Sequence, residues 1–155
     1  MADRRATGRA AGERGGRDVD GMRIVAGFLR SPEGRAALSR AIEETRLRDG
    51  ELLVVHSMRG GERDELEQVL SYREEFEQLE TRLADEGINY KLVEYARGNS
   101  PAEDLLQVSR DEDADLIVIG IRRRSPVGKL VLGSNAQDIL LHADCAILAV
   151  KASEE

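Results

Sequence analysis

Five short apolar runs, each bounded by turn residues and separated from the next by a segment of helical period, restrict this chain more than any other feature. The runs are Arg23 to Leu29, Leu52 to Ser57, Tyr90 to Ala96, Asp115 to Gly120 and Cys145 to Val150. Each is too short for a buried helix and reads as a strand. Between them, Ala36, Ala37, Ala41, Ile42 and Thr45 recur at helical spacing, and so do Leu66, Val69, Tyr72, Phe76, Leu79 and Leu83 within residues 62–86. Leu105, Leu106, Val108 and Ser109 mark a third helix, and Ile139, Leu140 and Leu141 a short fourth one. Strands alternating with helices imply right-handed crossovers. The expected fold is α/β: an open five-stranded parallel, doubly wound sheet with helices on both faces, of Rossmann-like type.

Local punctuation agrees. Ser31 suits an N-cap, with Pro32 at the first helical position, and Gly50 closes that helix. Ser100 with Glu103 fits a capping box, with Pro101 again at the first helical position. Gly60-Gly61 breaks the second strand and Gly87 ends the long helix. That long apolar stripe spans about three heptads, the lower limit for a coiled coil, and packing on the sheet is preferred. The third run is the least apolar and is expected nearer an edge, the fourth is the most apolar and is expected near the centre.

The chain divides unevenly. Residues 1–21 hold five arginines, four acids and five glycines with no periodicity, and read as a disordered arm. Its net charge of +1 leaves two readings: an arm touching an anionic partner, or an extension ahead of a start at Met22. Residues 22–152 form one domain, and 153–155 a short tail.

Charge and composition remove several classes of function. The chain's net charge of −7 and its 3% aromatic content oppose nucleic-acid binding through phosphate neutralisation or base stacking. No uncharged apolar stretch of ~18 residues appears, so no membrane helix is expected. The first twenty residues lack the apolar core of a signal peptide, and the expected location is the cytoplasm. The single cysteine, Cys145, excludes an intrachain disulfide and a Cys-rich zinc site.

In doubly wound sheets ligands sit outside the carboxyl ends of the strands, where the winding direction reverses. Three strand exits therefore attract interest: Phe28 to Ser31, His56 to Met58, and Gly120 onward. The last runs Gly120-Ile-Arg-Arg-Arg-Ser-Pro-Val-Gly-Lys-Leu-Val-Leu-Gly133-Ser134-Asn135. A glycine at a strand exit admits close backbone approach. A Gly-Ser pair at a helix start offers free N–H groups, a hydroxyl and a favourable dipole for an anion. Arg122, Arg123 and Arg124 lie between, as a phosphate clamp or as a solvated loop offsetting an acidic domain. The spacing is neither a Walker A loop nor GxGxxG.

Residues 22–151 resemble the universal stress protein family. The matching pieces are the Ile-Val-x-Gly strand with Ser31-Pro32-Glu33, Leu-Val-Val-His56, Gly98 with Pro101, Asp115-Leu-Ile-Val-Ile-Gly120, Gly133-Ser134, and Cys-x-Ile-Leu-x-Val. The family's nucleotide-binding branch has Gly, two residues, Gly, nine residues, then Gly-Ser or Gly-Thr. Gly120, Gly133 and Ser134 stand at those places, while Arg123 replaces the second glycine and Leu29 replaces an Asp that ends the first strand. The resemblance implies ATP or another adenine nucleotide as ligand. Gly133, Ser134 and Asn135 would meet the phosphates with Gly120, Arg123 would add charge, and the backbone near Ser57 would meet the adenine edge. It also implies a homodimer joined through the last strand, Ala146 to Val150. An open apolar edge gives that pairing a physical motive of its own.

Other chemistry-bearing residues have quieter explanations. His56 is read as a strand-end histidine bonded to backbone rather than a general base. His142 suits a helix C-terminus. Cys145 opens an apolar strand and is read as buried. Ser134 lacks the G-x-S-x-G elbow of a nucleophile and is read as an N-cap and anion contact. No residue is assigned to catalysis or to a metal. Three functions stay open: a regulatory stress-response protein acting by binding, a dimeric scaffold whose pocket is closed by Leu29 and Arg123, and a slow nucleotide hydrolase with Asp138 as the nearest acid.

Overall fold

The computed structural model describes residues 4–7, 21–58, 65–95, 99–122 and 132–152, with backbone alone for 4–7 and 65–69. Ten elements follow in chain order: β1 (Arg4–Thr7), β2 (Arg23–Gly27), α1 (Pro32–Leu47), β3 (Glu51–Ser57), α2 (Glu65–Asp85), β4 (Asn89–Tyr95), α3 (Pro101–Asp111), β5 (Leu116–Ile121), α4 (Ser134–His142) and β6 (Ala146–Lys151). The five expected strands are β2 to β6, all parallel to one another. The sheet order is β1-β4-β3-β2-β5-β6. β4 is thus the last parallel strand on one side, and β5 lies beside β2 with β6 outside it.

One segment departs from the sequence reading. Arg4–Thr7, expected to be part of a disordered arm, forms a sixth strand antiparallel to β4, from Arg4 opposite Tyr95 to Thr7 opposite Leu92. Backbone pairing on an unused strand edge requires no apolar periodicity, so the arm's composition carried no sign of it. Residues 8–20 and 153–155 lie outside the described residues.

Alternation along the strands splits the core between two faces. Ile24, Ala26, Leu52 and Val54 pack with Ala41 and Ile42 of α1 and with Phe76, Leu79 and Leu83 of α2. Val25, Leu53, Val55 and Val93 pack on the other face with Leu105 and Val108 of α3 and Ile139 of α4. Each large aliphatic side chain buried in this way stabilises the fold by roughly 1.5–3 kcal/mol. The α2 stripe is therefore core, as far as its side chains are described.

The loops from β2 into α1 and from β4 into α3 are fixed by caps. Ser31 Oγ accepts from the Gly34 N–H at 3.0 Å at the start of α1. Ser100 and Glu103 form the reciprocal box at the start of α3. Both carry proline at the first helical position, as the sequence indicated. Among the described residues no helix is long and apolar enough to cross a membrane.

Candidate functional site

The winding reverses between β2 and β5. From β2 the chain moves through α1 to β3 and β4 on one side, and through α3 to β5 and β6 on the other. Two neighbouring strands whose connections leave in opposite directions open a gap at their carboxyl ends. A cleft of about 370 Å³ occupies this gap, within the ~300–1,000 Å³ usual for small-molecule sites. Gly27 and Leu29 supply one wall, Gly120 to Arg122 another, and Gly133 to Ala136 the third.

Gly120 and Glu33 define its floor. A Cβ at residue 120 would lie 1.9 Å from the Glu33 carbonyl oxygen. The space left by the absent side chain is taken by the first turn of α1, not held open for a ligand as the sequence reading supposed. Gly34 makes a similar approach to Leu29, where a Cβ would fall 2.5 Å from the Leu29 Cβ. These two contacts bring the α1 N-terminus against both strand exits.

The third wall differs electrostatically from the other helix starts. α1 and α3 are capped by serine side chains and carry acids in their first turns. α4 begins at Gly133 with no side-chain cap and no acid in its first turn. The Gly133 carbonyl accepts the first helical bond, from Gln137 N–H at 3.0 Å. Ser134, expected as the N-cap, is instead the first helical residue. Among the described residues, a Cβ on Gly133 would meet nothing within 4 Å. Gly133 to Ala136 line the cleft, which sets the start of α4 and the positive end of its dipole at the cleft wall.

The sequence-derived site residues separate into three groups. Gly120, Gly133, Ser134 and Asn135 line the one cleft. Asn135 is also structural, its Oδ1 accepting from the Ala102 N–H at 3.1 Å and so tying α4 to the start of α3. Ser57 does not line the cleft: it ends β3, on the far side of β2, and its hydroxyl donates to Asp104 Oδ2 at 2.5 Å. Arg123 and Arg124 lie outside the described residues. Arg122 is described and exposed, with its Nε 3.8 Å from Glu33 Oε1. Asp138, the acid named for a hydrolase, lies in a separate groove between α3 and α4 with Glu103, Arg110 and His142. Sequence reasoning missed Glu33 as a cleft residue. Its place in the first turn after a strand exit was the available signal.

The remaining candidates resolve as follows. Among the described residues the His56 ring makes no backbone bond, and its Nδ1 is buried without a partner. It sits instead among aromatic rings, 5.5 Å from Phe28, 4.7 Å from Tyr72 and 5.3 Å from Phe76. Burial, helped by the Arg30 charge, lowers its pKa to about 4. The Arg30 guanidinium lies 3.9 Å from the Tyr72 ring centroid and donates to Glu75 at 2.8 Å. His142 Nδ1 lies 3.0 Å from the Asp138 carbonyl in the last turns of α4. Cys145 is half-buried, and desolvation raises its thiol pKa, the opposite of an activated thiolate.

A profile of the universal stress protein family matches residues 22–151. The chain belongs to the universal stress protein family. A universal stress protein from Mycolicibacterium smegmatis is 41% identical over 128 residues, which cover 83% of this chain and 96% of the relative. A solved universal stress protein from Archaeoglobus fulgidus superposes with a TM-score of 0.69 at 36% identity, covering 84% of this chain and 98% of that one. A universal stress protein structure from the same organism in complex with dAMP gives 0.65 at 30% identity, covering 86% of this chain and all of that one. As a member of this family, the chain keeps the doubly wound parallel sheet expected of it.

Proposed function

We propose that this universal stress protein acts by binding an adenine nucleotide, such as ATP, in the cleft between β2, β5 and the start of α4. The observation that carries this reading is the α4 N-terminus: unlike the starts of α1 and α3, it has no serine cap and no acid in its first turn, and it lines a cavity. The similar Archaeoglobus fulgidus protein in complex with dAMP supports the same ligand class. The residues present fit a nucleotide. Ser134 and the backbone N–H groups around it would hold phosphate oxygens. The apolar wall of Leu29, Ala37 and Leu105 would shelter the less polar part of the ligand. Leu29 lines this cleft without closing it among the described residues.

The same reading includes a homodimer. β1 covers the outer edge of β4, which leaves β6 as the open edge of the described sheet. Its residues, Ala146 to Lys151, are exposed or half-exposed. Pairing of two β6 edges about a two-fold axis would satisfy the free backbone groups and cover this apolar surface.

Thermal melting with and without ATP tests the binding reading. A ligand at ~100 times its Kd stabilises the native state by about 2.7 kcal/mol. Phosphate release from the same sample separates a binder from a hydrolase.

A further inference from the structure

We propose that Glu33 is the residue that selects for the sugar hydroxyls of a bound nucleotide; this rests on the binding reading above and assigns it a specificity element. The cleft carries two unlike poles. At one, the uncapped start of α4 favours an anion. At the other stands Glu33, a residue of the cleft lining whose side chain is 28% exposed and whose carboxylate lies beside Arg122, another lining residue.

Among the described residues its acceptor capacity is nearly unused. An ionised carboxylate offers about four lone-pair positions. Among the described residues Glu33 has one charged neighbour, Arg122, at 3.8 Å, which is too long for a hydrogen bond. Arg122 is itself largely in solvent, so this ion pair is weak and leaves the carboxylate oxygens open to a hydrogen-bond donor. The backbone of Glu33 is wedged against Gly120, so the first turn of α1 cannot swing away from the strand exit.

A half-buried carboxylate in a cleft that must also admit phosphate imposes a direction on the ligand. It repels the anionic end and attracts neutral donors. On a nucleotide the neutral donors remote from phosphate charge are the ribose hydroxyls, each able to donate to a carboxylate oxygen in a charge-assisted hydrogen bond. Leu29, at the neighbouring strand exit, has no polar atom to share this task. An analogue without the hydroxyls leaves Glu33 desolvated and unpaired, and a site built to bond a hydroxyl rejects such an analogue strongly.

The experiment is calorimetric titration of the full chain and of Glu33→Ala and Glu33→Gln with ATP and with 2′,3′-dideoxy-ATP. The unmodified chain should bind ATP at least tenfold more tightly than the dideoxy analogue. Glu33→Ala should weaken ATP and tighten the analogue, bringing the two within about twofold, and Glu33→Gln should fall between. Equal affinity of the unmodified chain for both ligands overturns the assignment, as does discrimination that survives in Glu33→Ala. Equal weakening of both ligands by Glu33→Ala also overturns it, since Glu33 would then meet a part of the ligand common to both. Failure of either ligand to bind the unmodified chain overturns the nucleotide reading itself. Melting of the ligand-free variants separates a helix-start role for Glu33, which would shift the melt without touching discrimination.

Discussion

Gly120 passes beneath Glu33 so closely that any Cβ at residue 120 would lie 1.9 Å from the Glu33 carbonyl oxygen. This contact locks the β5 exit to the first turn of α1 and sets the depth of the cleft. The obstacle is backbone, which cannot rotate aside as a flexible side chain can. Gly120→Ala should therefore destabilise the fold by about 3 kcal/mol, at the upper end of ordinary overpacking. Urea denaturation checks this. A midpoint unchanged from that of the unmodified chain would show that the strand exit and the helix are not wedged together.

Gly133 offers the opposite case. Its φ of −68° and ψ of 165° suit any residue, and a Cβ there meets nothing within 4 Å among the described residues. Gly133→Asp would cap α4 and complement its dipole, stabilising the fold by about 0.5 kcal/mol. The same carboxylate would occupy the place proposed for phosphate. ATP affinity should drop by about tenfold or more, or roughly 1.4 kcal/mol, while the melting temperature rises. A variant with raised stability and undiminished affinity would move the anion away from this helix start.

His56 makes stability fall on the acid side of neutrality. Its pKa in the folded protein is about 4, against an ordinary value of 6.5. Between these values the unfolded chain binds the proton and the folded chain resists it. The contribution is complete above pH 6.5, shrinks as pH falls toward 4, and changes little below that. The full effect is roughly 3 kcal/mol. Denaturation midpoints from pH 7 to pH 4 should decline less steeply in His56→Phe, which keeps a ring among Phe28, Tyr72 and Phe76. Parallel slopes in the two proteins would mean that His56 titrates normally.

How much of this was legible before the fold? Caps were, because Ser31 with Pro32, and Ser100 with Pro101 and Glu103, act on N–H groups two or three residues away. Strand positions were, because apolar runs and helical stripes repeat locally. The convergence of Gly120, Gly133, Ser134 and Asn135 was readable through the rule about strand exits. Ser57 was misplaced for a long-range reason. Its strand exit resembles the others in sequence, but the sheet order puts β2 between it and the cleft, and Asp104, 47 positions along, takes its hydroxyl. Glu33 escaped notice because its proximity to Gly120 is created by packing of α1 on β5. The partnerless ring nitrogen of His56 and the pairing of Arg4–Thr7 with β4 likewise depend on contacts that no local pattern announces.

The open β6 edge gives a prediction about assembly. Ala149 is exposed on this edge strand, so a substitution there leaves the core intact. Ala149→Asp would set like charges near one another across a two-fold pairing. Sedimentation equilibrium should show a dimer for the unmodified chain and a shift to monomer for the variant, with little change in melting at high dilution. A monomeric unmodified chain, or a dimer indifferent to Ala149→Asp, would place any association on another surface.

Calorimetric titration of ATP into the full chain, with Gly133→Asp alongside, decides whether the α4 start and its cleft hold an adenine nucleotide. Saturable binding with one nucleotide per chain is expected, weakened by about tenfold or more in the variant. No measurable heat with the unmodified chain at millimolar ATP, confirmed by an unmoved melting curve, would contradict it.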